Sequence, residues 1–234
     1  ARFAGDTITL YSNGVAVATK VLTAAEALAG KASLTSSDLG ADGVKALTAT
    51  VKTFGGESLP SDVLNYTLDT TIATPTIELA SDTGSSNSDG ITKSAALTLS
   101  TFASDVTRTF KINGEDASAL PTTFEDGEYS IEVTDTDKAG NSASATLSFT
   151  LDTTIATPTI ALTTDSGSDT DDLLTNNPAL TISTAAADVT RVYKINGGDE
   201  VESLPSDLED GEYTVEVFDT DTAGNTANAS LTFT

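Results

Sequence analysis

The sequence predicts an all-β chain made of small two-sheet sandwiches placed in tandem, and composition, internal duplication and apolar alternation are the three observations that predict it. The 234 residues include no Cys, Met, Trp or His. Thr, Ser, Ala, Asp and Gly dominate, and Pro and Gly punctuate short apolar runs, the alphabet of short strands joined by turns.

Duplication sets the domain organisation. The string LDTTIATPTI occupies Leu68–Ile77 and returns at Leu151–Ile160. The match continues, with Asp105-Val106-Thr107-Arg108 repeated as Asp188-Val189-Thr190-Arg191, and Lys111-Ile112-Asn113-Gly114 as Lys194-Ile195-Asn196-Gly197. One residue is inserted near Glu202. Residues 68–150 and 151–234 are therefore two full repeats, each long enough for a self-contained domain. Residues 1–67 read as the C-terminal part of a diverged third copy, because Leu64-Asn65-Tyr66-Thr67 matches Leu147-Ser148-Phe149-Thr150 and Asp42-Gly43 stands where Asp126-Gly127 does.

Within a full repeat, Ile77/Leu79, Leu97/Leu99, Val106/Phe110/Ile112, Tyr129/Ile131/Val133 and Ala145/Leu147/Phe149 each place apolar side chains on one face of a strand. The pattern predicts about seven short strands per repeat, the count of an Ig-type sandwich. Asp126-Gly127-Glu128-Tyr129 and Asp210-Gly211-Glu212-Tyr213 have the form of a tyrosine corner, in which the Tyr hydroxyl bonds back to the backbone. One helix is expected at 23–30, where Thr23 and Glu26 have capping-box spacing and Gly30 ends the run.

The formal charge of −24 disfavours nucleic acid and anionic membrane surfaces, both of which need basic patches. Without His or Cys the usual catalytic base, the thiol nucleophile and the common zinc ligands are missing. The chain is accordingly expected not to be an enzyme. No apolar stretch is long enough to span a bilayer, and a start at Ala1-Arg2-Phe3 reads as part of something longer.

The charge is unevenly placed. Residues 1–67 carry 6 acidic and 5 basic side chains, 68–150 carry 13 and 4, and 151–234 carry 16 and 2. Tracing strand direction sends Asp69, Asp105, Asp135, Asp137 and Asn141 of one repeat to the pole facing the preceding domain, with Asp152, Asp188, Asp219, Asp221 and Asn225 as the set in the next. Like charges so gathered repel by roughly 4 kcal/mol per pair at an effective dielectric of about 20. A cation reverses that sign, and Ca2+, which takes six to eight oxygens in loose geometry, suits an oxygen-only set best. The loop after the opening strand is a second candidate, with Asp82 and Asp89 in one repeat and Asp165 and Asp172 in the other. Asp and Gly also favour turns for backbone reasons alone. In segment 1–67 the hairpin position reads Val51-Lys52-Thr53-Phe54-Gly55-Gly56-Glu57, so no cation is expected there.

The join from Phe149 to Pro158 has no Gly or Ser run and is rich in β-branched residues, the composition of a stiff spacer. Together the DTT linker, the Asp- and Gly-rich opening loop, the Asp-Gly-x-Tyr corner and the Asp-x-Asp-x-Ala-Gly-Asn hairpin resemble the bacterial Ig-like extender repeats of giant RTX adhesins. That resemblance implies a stalk segment at the bacterial cell surface, exported by type I secretion, repeated many times and stiffened by calcium at the joins. Neighbouring repeats are then the partners, with no membrane insertion and a monomeric chain. Two readings compete: a module binding carbohydrate or ice, disfavoured because Phe and Tyr fall at alternating core positions, and a two-carboxylate glycosidase, disfavoured because the acids lie in loops.

Overall fold

The computed structural model describes residues 2–36, 38–206 and 208–234. They form two compact units, one of residues 1–73 with 136–142 and one of residues 74–135 with 143–234.

The first unit holds β1 (Thr7–Ser12), β2 (Val15–Val21), α1 (Ala24–Ala29), β3 (Gly43–Thr53), β4 (Gly56–Glu57) and β5 (Leu64–Leu68). The strands make one antiparallel sheet in the order β2-β1-β3-β4, with β5 also on β3. Pairing of Ile8 with Val51 and of Leu10 with Ala49 puts the alternating apolar residues on a common face. Helix α1 has the expected capping box between Thr23 and Glu26, and Gly30 closes it in the left-handed conformation at φ 65°.

In the second unit, the first full repeat contributes β6 (Ile77–Leu79), β7 (Ile91–Thr92), β8 (Leu97–Leu99), β9 (Thr107–Ile112), β10 (Glu115–Ala117), β11 (Gly127–Thr136) and β12 (Ser142–Leu151). These seven strands form two sheets, β6-β8 and β10-β9-β11-β12-β7. Ile77, Ile131, Val133, Phe149 and Leu151 are buried in one core, at about 1.5–3 kcal/mol for each large side chain removed from water. Phe124, Tyr129 and Phe149 pack against one another with ring centroids 4.9 to 5.9 Å apart. The hydroxyl of Tyr129 donates to the carbonyl of Glu125 at 2.8 Å, which completes the expected corner.

The second full repeat contributes β13 (Ile160–Leu162), β14 (Leu180–Ile182), β15 (Val189–Ile195), β16 (Tyr213–Asp221) and β17 (Thr226–Phe233). Its sheets are β13-β14 and β15-β16-β17, around buried Val215, Val217 and Phe233. The counterpart of β10 shrinks to a single bridge, Tyr193 with Val201, next to the one-residue insertion. The Asn-Gly pair after β1 recurs after β9 and β15, with both residues at positive φ each time, as a tight hairpin turn needs. In each case the Asn side chain accepts a backbone N–H of the neighbouring strand, from Ala46, Ser130 and Thr214.

Candidate functional site

The inward-facing alternation of β11 does not stop at Val133. It runs on to Asp135, which is 3% exposed, and in β16 it runs from Val215 and Val217 to Asp219 and Asp221. The sequence assigns Asp135, Asp219 and Asp221 to loops; the structure places all three within strands, because the pairing of the final hairpin extends further than the turn residues suggest. A buried carboxylate requires a counter-charge and hydrogen bonds. Arg108 of β9 supplies both to Asp135, with Nε donating to Oδ1 and Nη2 to Oδ2 at 2.7 Å each, and Nη1 donating to Ser100 O at 2.6 Å. Arg191 treats Asp219 in the same way at 2.6 and 2.7 Å and also donates to Ser183 O. The paired carboxylate holds each guanidinium above its ordinary value against the opposing effect of burial. The repeated Asp-Val-Thr-Arg string carries this signal, since its Arg is the partner of the strand carboxylate.

The hairpin carboxylates one step further on build the turn itself. Oδ1 of Asp137 accepts the N–H groups of Gly140 and Asn141 at 2.8 and 2.9 Å, and Oδ2 accepts the Asn141 amide at 2.8 Å. The Asn141 side chain, and after it the backbone N–H donors, hold the Asp137 carboxyl below its ordinary range. The same amide donates to Asp69 O at 3.2 Å, so Asn141, Asp137 and Asp69 do come together. In the next copy Asn225 joins Asp221 and the carbonyl of Asp152, at 2.8 and 2.9 Å. Asp188, Asp219, Asp221 and Arg191 line one cavity of about 230 Å3. Three carboxylates against one guanidinium leave that cavity net negative. Asp105 lies in the turn before β9.

The opening loops differ in one respect. Asp82 Oδ2 accepts the N–H of Gly90 at 2.9 Å and Asp165 Oδ2 accepts that of Leu173 at 3.0 Å. Their Oδ1 atoms are buried without a hydrogen-bond partner. Asp89 and Asp172 each cap the backbone two residues on, at Ile91 and Leu174. A buried carboxylate oxygen left unpaired is costly, and it recurs at the same place in both repeats. Calcium fits this oxygen-only donor chemistry. Among the described residues, however, no three acidic side chains stand close enough to chelate one ion.

A further arrangement escaped the sequence. Asp126, of the corner motif, accepts both the N–H and hydroxyl of Thr153 through Oδ1, at 3.0 and 2.7 Å, and the hydroxyl of Thr154 through Oδ2 at 3.3 Å. Asp42 clasps Thr70 and Thr71 alike. The linker threonines are thus the donors that complete the corner of the preceding domain. Asp-Gly reads as a turn signal in sequence, which hid this second role.

A family model for the bacterial Ig-like domain matches residues 71–153 and 154–234, and the chain belongs to that family. Among solved structures, fibronectin(III)-like modules of Clostridium thermocellum CbhA align over 64% of this chain and 79% of theirs, at 16% identity and a TM-score of 0.33. A tetra-tandem repeat from the extending region of a large adhesion protein aligns over 99% and 66%, at 21% identity and 0.31. A Ca2+-stabilized adhesin of an Antarctic bacterium that binds ice aligns over 98% and 64%, at 23% identity and 0.31. The chain thus spans about two thirds of the length of each of these two adhesin structures. Among curated proteins none matches the sequence.

Proposed function

We propose that this chain is a structural extender segment of a large bacterial surface adhesin, a monomeric stalk piece whose partners are its neighbouring repeats and whose joins bind calcium. The observation that carries the reading is the clasp of each linker by the domain before it. Asp126 takes Thr153 and Thr154, and Asp42 takes Thr70 and Thr71, so each linker is held at its start by the domain before it. The duplicated repeats agree with a passive stalk role; among the described residues no helix is long and apolar enough to cross a membrane.

Calcium would be held by Asp82 with Asp89 and by Asp165 with Asp172 in the opening loops. At the hairpin poles, Asp69 with Asp137 and Asn141, and Asp152 with Asp188, Asp221 and Asn225, would contribute. Asp135 and Asp219 have both oxygens on a guanidinium, which neutralises their charge. The ion supplies positive charge to carboxylates that otherwise repel, and it gives the orphaned Asp82 and Asp165 oxygens a partner. Binding only to the folded state adds about 2.7 kcal/mol per site at a hundredfold excess over Kd.

Thermal melting in millimolar calcium and then in chelator tests this. A melting temperature that rises with calcium, and rises less in Asp82→Asn and Asp165→Asn, supports it. Identical melting in both buffers removes calcium from the reading and leaves the tandem sandwich in place.

A further inference from the structure

The two full repeats carry nearly the same final hairpin, Asp137-Lys138-Ala139-Gly140-Asn141 and Asp221-Thr222-Ala223-Gly224-Asn225. Their tips have different surroundings. Lys138, Ala139 and Gly140 are exposed, whereas Ala223 is 1% exposed and Thr222 and Gly224 are half-buried. An alanine at the tip of a two-strand hairpin is normally in solvent, so something covers the second tip.

The cover is the opening loop of the first full repeat. Three donors from that loop take the three successive tip carbonyls: the Ser85 N–H donates to Thr222 O at 3.1 Å, the Thr83 hydroxyl to Ala223 O at 2.8 Å, and Lys93 Nζ to Gly224 O at 2.6 Å. Backbone meets backbone at a pair of glycines. A Cβ on Gly84 would stand 2.0 Å from Thr222 O, and one on Gly224 would stand 2.9 Å from the Gly84 Cα. Both glycines also have positive φ, 100° and 92°. Gly140 and Gly167, their counterparts in the other copies, would accept a Cβ with nothing nearer than 4.0 Å.

The donor loop is itself preorganised. Thr92, with no exposed surface, accepts the Thr83 N–H and bonds the Thr83 hydroxyl at 3.0 Å, while the Lys93 N–H donates to the same Thr83 hydroxyl. On the other side of the join Leu151 is buried in the first full repeat and Asp126 holds Thr153. The second repeat is therefore attached to the first at two separated places, the covalent linker and the hairpin tip.

The geometry points to a direct, metal-independent interface between the opening loop and the hairpin tip, with Gly84, Gly224, Thr83 and Lys93 as its specificity determinants, that fixes the alignment of the two full repeats. None of its three hydrogen bonds uses a carboxylate. It goes beyond the calcium reading: the ion stabilises loops, and this contact sets the direction in which the next domain points. It also makes the pairing selective, since any side chain at position 84 strikes the tip backbone.

A pulsed dipolar distance measurement on the full chain tests it. With no native Cys, the exposed positions Thr109→Cys and Ser230→Cys place one spin label on each repeat. The expected distance distribution is narrow in calcium and equally narrow in chelator. Gly84→Val should widen it at least twofold in both buffers, and Lys93→Met, which removes one donor without touching the loop backbone, should widen it by a smaller amount. If Gly84→Val fails to fold, Lys93→Met decides alone. Widening of the parent protein in chelator, or no widening in the variants, overturns the proposal. The melting test above has a different readout, so calcium can fail while this interface stands, and the reverse.

Discussion

Arg191 closes on Asp219 through two parallel hydrogen bonds of 2.6 and 2.7 Å, and Arg108 repeats the arrangement on Asp135. The side chains of both pairs are largely or fully removed from water, at 12% and 4% exposure for Arg191 and Asp219 and 6% and 4% for Arg108 and Asp135. Each pair therefore ties two strands of the larger sheet and buries a neutralised ion pair at the end of the sandwich. Removing one member strands the other. Arg191→Met is expected to destabilise the second full repeat by about 3–5 kcal/mol in urea unfolding, with the double variant Arg191→Met, Asp219→Asn recovering much of the loss. A single-variant loss under about 1 kcal/mol would show that Asp219 finds its counter-charge elsewhere.

Thr92 is a buried hydroxyl at the foot of the opening loop, accepting the N–H groups of Thr83 and Ser94 at 3.3 and 3.2 Å. Valine has nearly the same shape and no acceptor. Thr92→Val should cost about 1–3 kcal/mol through those two unpaired donors and should speed hydrogen exchange at the Thr83 and Ser94 amides. Exchange left unchanged there would mean that the loop is held by other contacts.

Much of this fold is legible in sequence for a simple physical reason. Strands half-buried in a sandwich must alternate, so Ile77/Leu79, Leu97/Leu99 and Ile131/Val133 announce themselves, as do the Thr23–Glu26 capping box and the Tyr129 corner. The site was legible only as composition. Asp135 and Asp137 look alike in a string, yet one faces a guanidinium from a strand twenty-seven residues away and the other folds back on its own turn. Which partner each carboxylate takes depends on tertiary placement, which period-two reasoning does not supply. The sequence ranks the hairpin first and the opening loop second; among the described residues the buried carboxylate oxygens without a hydrogen-bond partner are those of Asp82 and Asp165.

Asp126 is exposed and accepts three hydrogen bonds from the linker. In water such bonds add little to global stability, about 0.5–1.5 kcal/mol each at most. Their effect is local. Asp126→Ala should leave unfolding midpoints nearly unchanged while increasing fast backbone motion over residues 152–156 in amide relaxation and exposing the Thr153 amide to exchange. If relaxation in the linker matches the parent protein, burial of Leu151 alone holds the join.

Asp42 clasps Thr70 and Thr71 in the first unit, and its carboxyl is held below the ordinary value of 3.8, chiefly by the Thr70 N–H and then by the Thr70 hydroxyl. A depressed carboxylate value means that the folded state prefers the anion, so the clasp is fully present above about pH 4 and is lost as the pH falls through the lower folded value. The Asp137 carboxyl, held down by Asn141, follows the same sign. Titration of the Thr70 and Thr71 amide shifts from pH 5 downward should therefore show a midpoint below 3.8, and Asp42→Asn should abolish it. A midpoint above the ordinary value would mean that desolvation outweighs the threonine donors. The linker would then loosen in acid before the hairpin does, since Asp137, held below its ordinary value by Asn141, keeps its charge to lower pH.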